Sequence, residues 1–316
     1  MQPISPGLLN DWRPRVLILP PSVMARSRTV GGGERYALEY ARGLSELTPT
    51  TMALFDTHSA VEQQGRLEIR TMEVPRAEFG RLFSVRRPTW EALAEFDVIH
   101  LMWAPSPPAD TLLASALLRR QIVVITDIGG GAPCPTTYLQ KIHPRLGLMW
   151  GADGLAHLSR YAAGLFRGWP HPETVLFGGV NRAFAASAQG DPGGYALFVG
   201  RLLPHKGVLE LVEAVSPQTP LRIVGRPYDP AYVDAVKRAA AGKRVTFHFE
   251  ADDAELRGHY AGASVVLQVS MPAGVPGGQD RSELLGLVAL EGMACGKPVI
   301  VTSTTSLPEQ IGRAHV

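Results

Sequence analysis

The sequence predicts an α/β protein built from two doubly wound units, each a parallel sheet covered by helices on both faces. Three observations carry this. Strand-length apolar runs alternate with helix-length segments along the 316 residues. The runs are continuously apolar rather than alternating, as in strands buried on both faces. The rhythm breaks once, from Asn181 to Gly194, in a stretch rich in Ala, Gly and Pro with no apolar period, and then restarts. The chain is also long for one domain and comfortable for two. The expected division is residues 1–185 and 186–316.

In the first part, Val16–Leu19, Met52–Phe55, Val98–Leu101 and Ile122–Ile125 are the strand candidates. Helical patterns run over Arg35–Leu47 and Asp110–Leu118. In the second part the expected strands are Ala196–Val199, Leu221–Val224, Val245–Phe249, Val265–Val269 and Val299–Val301. The expected helices between them are Val208–Val215, Pro230–Ala240, Asp253–Ala261 and Leu285–Ala294. Ligands of paired doubly wound units lie at the carboxyl ends of the strands.

Composition narrows the function classes. The chain is 45% apolar and 19% charged, which suits a cored globular protein. Two cysteines, Cys134 and Cys295, make neither a disulfide framework nor a zinc spacing, pointing to a reducing compartment. No apolar run is long enough to span a bilayer, and Val16–Pro20 is too short for a signal peptide. The expected location is the cytoplasm. The net charge of +2 argues against nucleic acid as a partner. Residues 1–185 carry 19 basic and 16 acidic groups, and the remainder 12 and 13. The resulting +3 of the first part leaves open a weak peripheral contact with the inner membrane, without arguing for it.

Three segments carry candidate chemistry. Gly31-Gly32-Gly33-Glu34-Arg35 follows the first strand and opens a helix, where backbone N–H groups approach a phosphate readily. It is not a dinucleotide fingerprint, since the third glycine position is Tyr36; read from Gly129, that position is Cys134. Taken alone, the triplet is equally consistent with a tight turn. Gly200 to Gly207 also follows a strand and opens a helix, and its Arg201 and Lys206 are suited to neutralising a diphosphate. The spacing excludes a P-loop. Two solvated surface cations are the plainer reading of the segment by itself.

The third segment, Glu283 to Pro298, contains a helix apolar nearly all round, with Glu291 in its middle. A buried carboxylate needs a hydrogen-bonding partner, and sugar or ribose hydroxyls are natural ones. On one helix, Glu283 and Glu291 lie roughly 12 Å apart at 1.5 Å per residue. That is near the span from a ribose to a sugar beyond a diphosphate. Gly286 and the N–H of Leu287 form the helix start, an anion site. A helix cap for one carboxylate and a core ion pair for the other also fit the pattern.

With Phe177-Gly178-Gly179-Val180-Asn181, these segments occur in the order found in glycosyltransferase family 4, which the chain resembles from about Val16 to Glu309. The resemblance implies a GT-B fold, two Rossmann-like domains facing a cleft. It implies a retaining, hexosyltransferase-like enzyme without metal or other cofactor, using a UDP-, GDP- or ADP-sugar donor. The acceptor is a glycan, a lipid-linked sugar or a small molecule. By the same resemblance Arg201 and Lys206 hold the diphosphate, Glu291 the ribose, and Glu283 the transferred sugar. Gly32 and Gly33 approach the diphosphate from the other domain. Gly225, with Arg226, and Phe249 flank the base.

The chain departs from the family in three places. Asp127 stands where many members carry a histidine, and is the best, weak candidate for an enzyme nucleophile. Met271 to Ser282 is a longer loop than usual. The family's closing helix is missing, so the second domain is expected to be truncated, with no helix after Val299–Val301 and one sheet face partly uncovered. Residues 311–316 match the translated opening of a common sequencing adapter and are expected to be artefactual. A GT-B sugar-nucleotide epimerase, a phosphorylase or an inactive donor-binding protein are the competing readings. A dehydrogenase ranks below them, since both glycine fingerprints fail.

Overall fold

A computed structural model describes residues 12–20, 32–73, 93–103, 113, 116–128, 151–165, 172–186, 193–278 and 283–312. The chain divides into two compact units: Met1–Leu158 with Phe166–Leu176, and Ser159–Leu165 with Phe177–Val316.

Unit 1 is built on an eight-stranded sheet. Its elements begin with β1 (Val16–Leu19), α1 (Gly32–Ser45), β2 (Thr50–Asp56), β3 (Ala60–Gln64) and β4 (Leu67–Glu73). β5 (Val98–Trp103), β6 (Ile122–Asp127), β7 (Gly154–His157) and β8 (Glu173–Val175) complete the sheet. The order is β3-β4-β2-β1-β5-β6-β7-β8, and every pairing is parallel except β3 with β4. The core gathers Leu17, Leu19, Phe55, Ile99, Leu101, Val123 and Ile125, the apolar runs read from sequence. The hairpin β3–β4 is the unforeseen part. β3 is polar and exposed along most of its length, so no apolar signal marks it. It is held by antiparallel pairing around a two-residue turn with Gly65 at φ 63°.

In unit 2 the chain runs α2 (Arg160–Gly164), α3 (Arg182–Ala186), β9 (Tyr195–Val199), α4 (Val208–Ala214), β10 (Leu221–Val224) and α5 (Pro230–Ala239). It continues through β11 (Val245–His248), α6 (Asp253–Gly262), β12 (Ala263–Gln268), α7 (Leu287–Ala294), β13 (Val299–Val301) and α8 (Leu307–Ile311). The all-parallel sheet has the order β11-β10-β9-β12-β13. Local chemistry sets many limits. Asp229 caps α5 with Pro230 at its first position, and Asp252 and Glu255 form a capping box on α6.

Several boundaries differ from those read in the sequence. Ser159–Leu165 already belongs to unit 2, and the last passage from unit 1 to unit 2 falls between Leu176 and Phe177, ahead of residue 185. The expected linker contains α3, because Phe184 inserts its ring beside Tyr260, 5.5 Å between centroids, and its carbonyl accepts from the Cys295 thiol. A helix does follow the last strand: α8 packs on α7, correcting the expectation of none. The edge strand β13 still leaves Ile300 57% exposed. Of the expected artefact, Ile311 closes α8 and residues 313–316 lie outside the described residues. So do most of the expected helix Asp110–Leu118 and the end of the Met271–Ser282 loop. Among the described residues no helix is long and apolar enough to cross a membrane.

Candidate functional site

In sheet 2 the strand order reverses between β9 and β12, and such a switch point opens a crevice at the carboxyl ends of the two strands. The segments leaving those ends are Gly200–Gly207 and the chain from Val269 to Gly286. The sequence candidates Arg201, Lys206, Glu283 and Gly286 lie on them, and Leu287 follows as the first residue of α7.

The centre of the arrangement is an ion pair. Lys206 Nζ lies 2.8 Å from Glu283 Oε2, and each side chain is only 16% exposed. The same carboxylate is held from two further directions. Gln268, the last residue of β12, donates Nε2–H to Oε2 at 2.7 Å, and the Gly286 N–H donates to Oε1 at 3.2 Å. Ser306 adds its hydroxyl to the Glu283 carbonyl oxygen at 3.2 Å. Burial raises the Glu283 carboxyl pKa, but the Lys206 ammonium and the two N–H donors outweigh it and hold the group below the usual carboxylate range.

The local backbone explains how Lys206 reaches this position. Pro204–Lys206 form a 3-10 turn that closes on Gly207, at φ 68° in the left-handed region. A Cβ at Gly207 would stand 2.1 Å from the Val269 carbonyl oxygen, so the turn can press against the chain leaving β12 only with glycine there. Arg201 is exposed, its guanidinium 5.6 Å from the Tyr228 ring centroid. Between them His205, which the sequence reading passed over, has its pKa pushed down to about 4 by burial and by the nearby Lys206 and Arg201 charges, against an opposing effect of Glu283. It is a neutral imidazole between two cations at pH 7.

The expected helix Leu285–Ala294 starts two residues later, and Glu283 does not share it with Glu291. The helix begins at Leu287, after Gly286 at φ 78°, so Glu283 lies in the preceding loop. The distance of roughly 12 Å along a helix therefore does not describe this pair. The Gly286 N–H is taken by Glu283 and that of Ala289 by Gln268 Oε1, 3.0 Å away. Leu287 and Val288 supply the N–H groups between them. Glu291 is buried, as expected, but its partner is within the protein: the Tyr260 hydroxyl donates to Oε2 at 2.7 Å. Phe249 is half-buried against the unit 2 core, with Lys237 Nζ 5.4 Å from its ring centroid. Gly225 follows β10 and donates its N–H to the His248 carbonyl.

In unit 1, Gly32 and Gly33 lie in the first turn of α1, which starts three residues ahead of the expected Arg35; Gly31 lies outside the described residues. Asp127 is buried at the carboxyl end of β6, in register with His157 of β7. Nearby on β5 is an unforeseen group. The His100 ring is 2.7 Å from the Thr126 hydroxyl and lies edge-on to Tyr40, with its pKa pushed down by burial to about 4. Gln268, Tyr260, His205 and His100 were missed because each sits in a strand, helix or loop whose pattern shows burial but not partners. Among the described residues no group of three or more His, Cys, Asp or Glu could hold a metal ion.

Residues 181–315 match the family model described as glycosyl transferases group 1. Over 123 residues, 36% of this chain, the sequence is 32% identical to the GDP-mannose-dependent alpha-(1-6)-phosphatidylinositol monomannoside mannosyltransferase of Mycolicibacterium smegmatis. That stretch spans 31% of the relative's length. Among solved structures, Anabaena HepE in complex with UDP and glucose is similar at a TM-score of 0.65 and 17% identity, over 94% of this chain and 83% of that one. A glycosyltransferase from Rickettsia africae is similar at 0.67 and 18%, over 95% and 82%. Sucrose-phosphate synthase from Thermosynechococcus elongatus is similar at 0.66 and 20%, over 93% and 82%. The fold is GT-B, as the resemblance implied.

Proposed function

From a GT-B chain whose second unit matches the glycosyl transferases group 1, we infer a glycosyltransferase that moves a sugar from a nucleotide diphosphate donor to an acceptor, with retention and without a metal. The observation that carries this reading is the buried Lys206–Glu283 pair at the switch point of sheet 2, beside Arg201 and the start of α7. In this reading Lys206, Arg201 and the helix start after Gly286, with the N–H of Leu287, receive the diphosphate. Glu283 receives a hydroxyl of the transferred sugar. Glu291, held by Tyr260, faces the ribose, and Gly225 and Phe249 flank the base. Gly32 and Gly33 supply further N–H groups to the phosphates.

The chemistry asked of these groups is stabilisation of the leaving phosphate as its bond to the sugar breaks. Fixed cations and N–H dipoles do this without reorganising during the reaction. On a same-face path the departing phosphate oxygen takes the acceptor's proton as the acceptor oxygen joins the anomeric carbon. This path needs no enzyme nucleophile, which fits Asp127 being the one weak candidate. The cations take the part a divalent metal plays elsewhere, so no cofactor is required. Two donor classes lead the test because they appear in the names of similar proteins, GDP-mannose and a UDP-sugar.

The test is a panel of UDP-, GDP- and ADP-sugars read by thermal shift and calorimetry, followed by donor turnover with and without EDTA. One nucleotide class should raise the unfolding temperature. Lys206→Ala should weaken its binding by roughly 1.5–3 kcal/mol, and EDTA should leave turnover intact. A chain that binds no nucleotide diphosphate refutes the reading. Turnover lost with EDTA and restored by magnesium refutes the metal-free part alone.

A further inference from the structure

Gln268 has no assigned role, yet it is the side chain through which the ion pair is tied to the helix start. It is 5% exposed at the end of β12 and makes two hydrogen bonds of opposite sense: Oε1 accepts from the Ala289 N–H at 3.0 Å, and Nε2 donates to Glu283 Oε2 at 2.7 Å. The first bond fixes the second. A flipped amide would set an N–H against the Ala289 N–H and an oxygen against a carboxylate oxygen, a donor–donor and an acceptor–acceptor clash in a buried place. The side chain therefore presents a donor to Glu283 in one orientation only, and that donor suits the ionised carboxylate.

We propose that Gln268 is the positioning residue of this site: a one-way amide clip that keeps Glu283 ionised and turned toward Lys206. The proposal rests on the functional reading above for its bearing on turnover, and on the hydrogen-bond geometry alone for its bearing on Glu283. The amide does not touch the reacting atoms in this account. It sets the direction and charge of the carboxylate that receives the sugar hydroxyl. A glutamate at this place would still accept from Ala289 but would bring a second acid against Glu283, and the two would share one proton.

Two nearly isosteric variants test this without changing the packing. Gln268→Met removes both bonds, and Gln268→Glu keeps the bond to Ala289 while reversing the face toward Glu283. In the unliganded protein labelled with carboxyl-13C glutamate, with Glu283 assigned through Glu283→Gln, the Glu283 carboxyl should titrate at least one pH unit higher in Gln268→Met than in wild type. In Gln268→Glu the two carboxyls should titrate as a coupled pair, one of them well above the ordinary carboxylate range. With whichever of UDP-glucose or GDP-mannose the wild type turns over, Gln268→Glu should lose at least tenfold in kcat at pH 7 and recover none of it toward alkaline pH, with KM changed less than threefold. An unshifted Glu283 titration in folded Gln268→Met and Gln268→Glu overturns the clip. Gln268→Met that fails to fold leaves Gln268→Glu, whose Ala289 bond is kept, to decide. A wild type that turns over neither donor refutes the functional reading, while the Glu283 titration still decides the clip.

Discussion

Replacing Lys206 by Met should destabilise unit 2 by more than the lost attraction, because it strands a carboxylate. Both partners are mostly buried, at 16% exposure each. Removing one partner of a fully buried pair costs roughly 3–5 kcal/mol. Here the residual exposure and the two hydrogen bonds that remain from Gln268 and Gly286 reduce that, to about 2–3 kcal/mol. Glu283→Gln in the Lys206→Met background removes the stranded charge and should restore most of the loss, giving a coupling energy of about 2 kcal/mol. The two proteins should also differ in pH dependence. In wild type the Glu283 pKa is lowered, so the pair's contribution is present above the ordinary carboxylate pKa and fades as pH falls through the lower folded value. In Lys206→Met burial dominates and the pKa rises, so the destabilisation should shrink as the pH is lowered toward 5.

Denaturant unfolding provides the assay, with an internal reference built into the composition. None of the five tryptophans, Trp12, Trp90, Trp103, Trp150 and Trp169, falls within the residue ranges of unit 2, while far-UV circular dichroism reports on both units. The substitutions should move the dichroism transition of unit 2 and leave the tryptophan transition in place. A double variant as unstable as Lys206→Met, with no change in its pH slope, would refute the argument that Glu283 is the stranded group.

Three further outcomes are expected. Tyr260→Phe removes only the hydroxyl that donates to buried Glu291, and should cost unit 2 roughly 1.5–3 kcal/mol in denaturant unfolding; a cost below 0.5 kcal/mol would show that this bond does not matter. His100, buried and neutral, has its pKa lowered from 6.5 to about 4, so the unfolded chain takes up a proton that the folded one refuses. Unit 1 should then lose on the order of 3 kcal/mol as pH falls from 6.5 to 4, a loss that His100→Gln abolishes in tryptophan-detected unfolding. Gly207→Ala sets a Cβ against the Val269 carbonyl in a left-handed turn, and should cost on the order of 3 kcal/mol or more and abolish nucleotide binding by calorimetry; an alanine variant of unchanged stability would show that the turn can relax.

The local elements were legible in the sequence wherever local chemistry decides them. Leu221–Val224 and Val299–Val301 are strands to the residue, because short apolar runs between turn signals have no other stable home in a covered sheet. Asp229-Pro230 and Asp252 mark helix starts through their own caps. The GT-B arrangement of two doubly wound units and the loops that carry Arg201, Lys206, Glu283 and Gly286 follow from the same rhythm and from the resemblance those loops support. What remained hidden is what depends on residues far apart in the chain. β3 has no apolar face and exists through its pairing with β4. Gly286 looks like part of a helix until its left-handed φ delays the start of that helix to Leu287. Glu291 finds Tyr260 across 31 residues and Lys206 finds Glu283 across 77. Pattern and propensity report whether a side chain is buried, whereas its partner is decided by which strands the sheet order sets side by side. In unit 2 that order puts β9 next to β12, and only there do Lys206, Gln268 and Glu283 become one site.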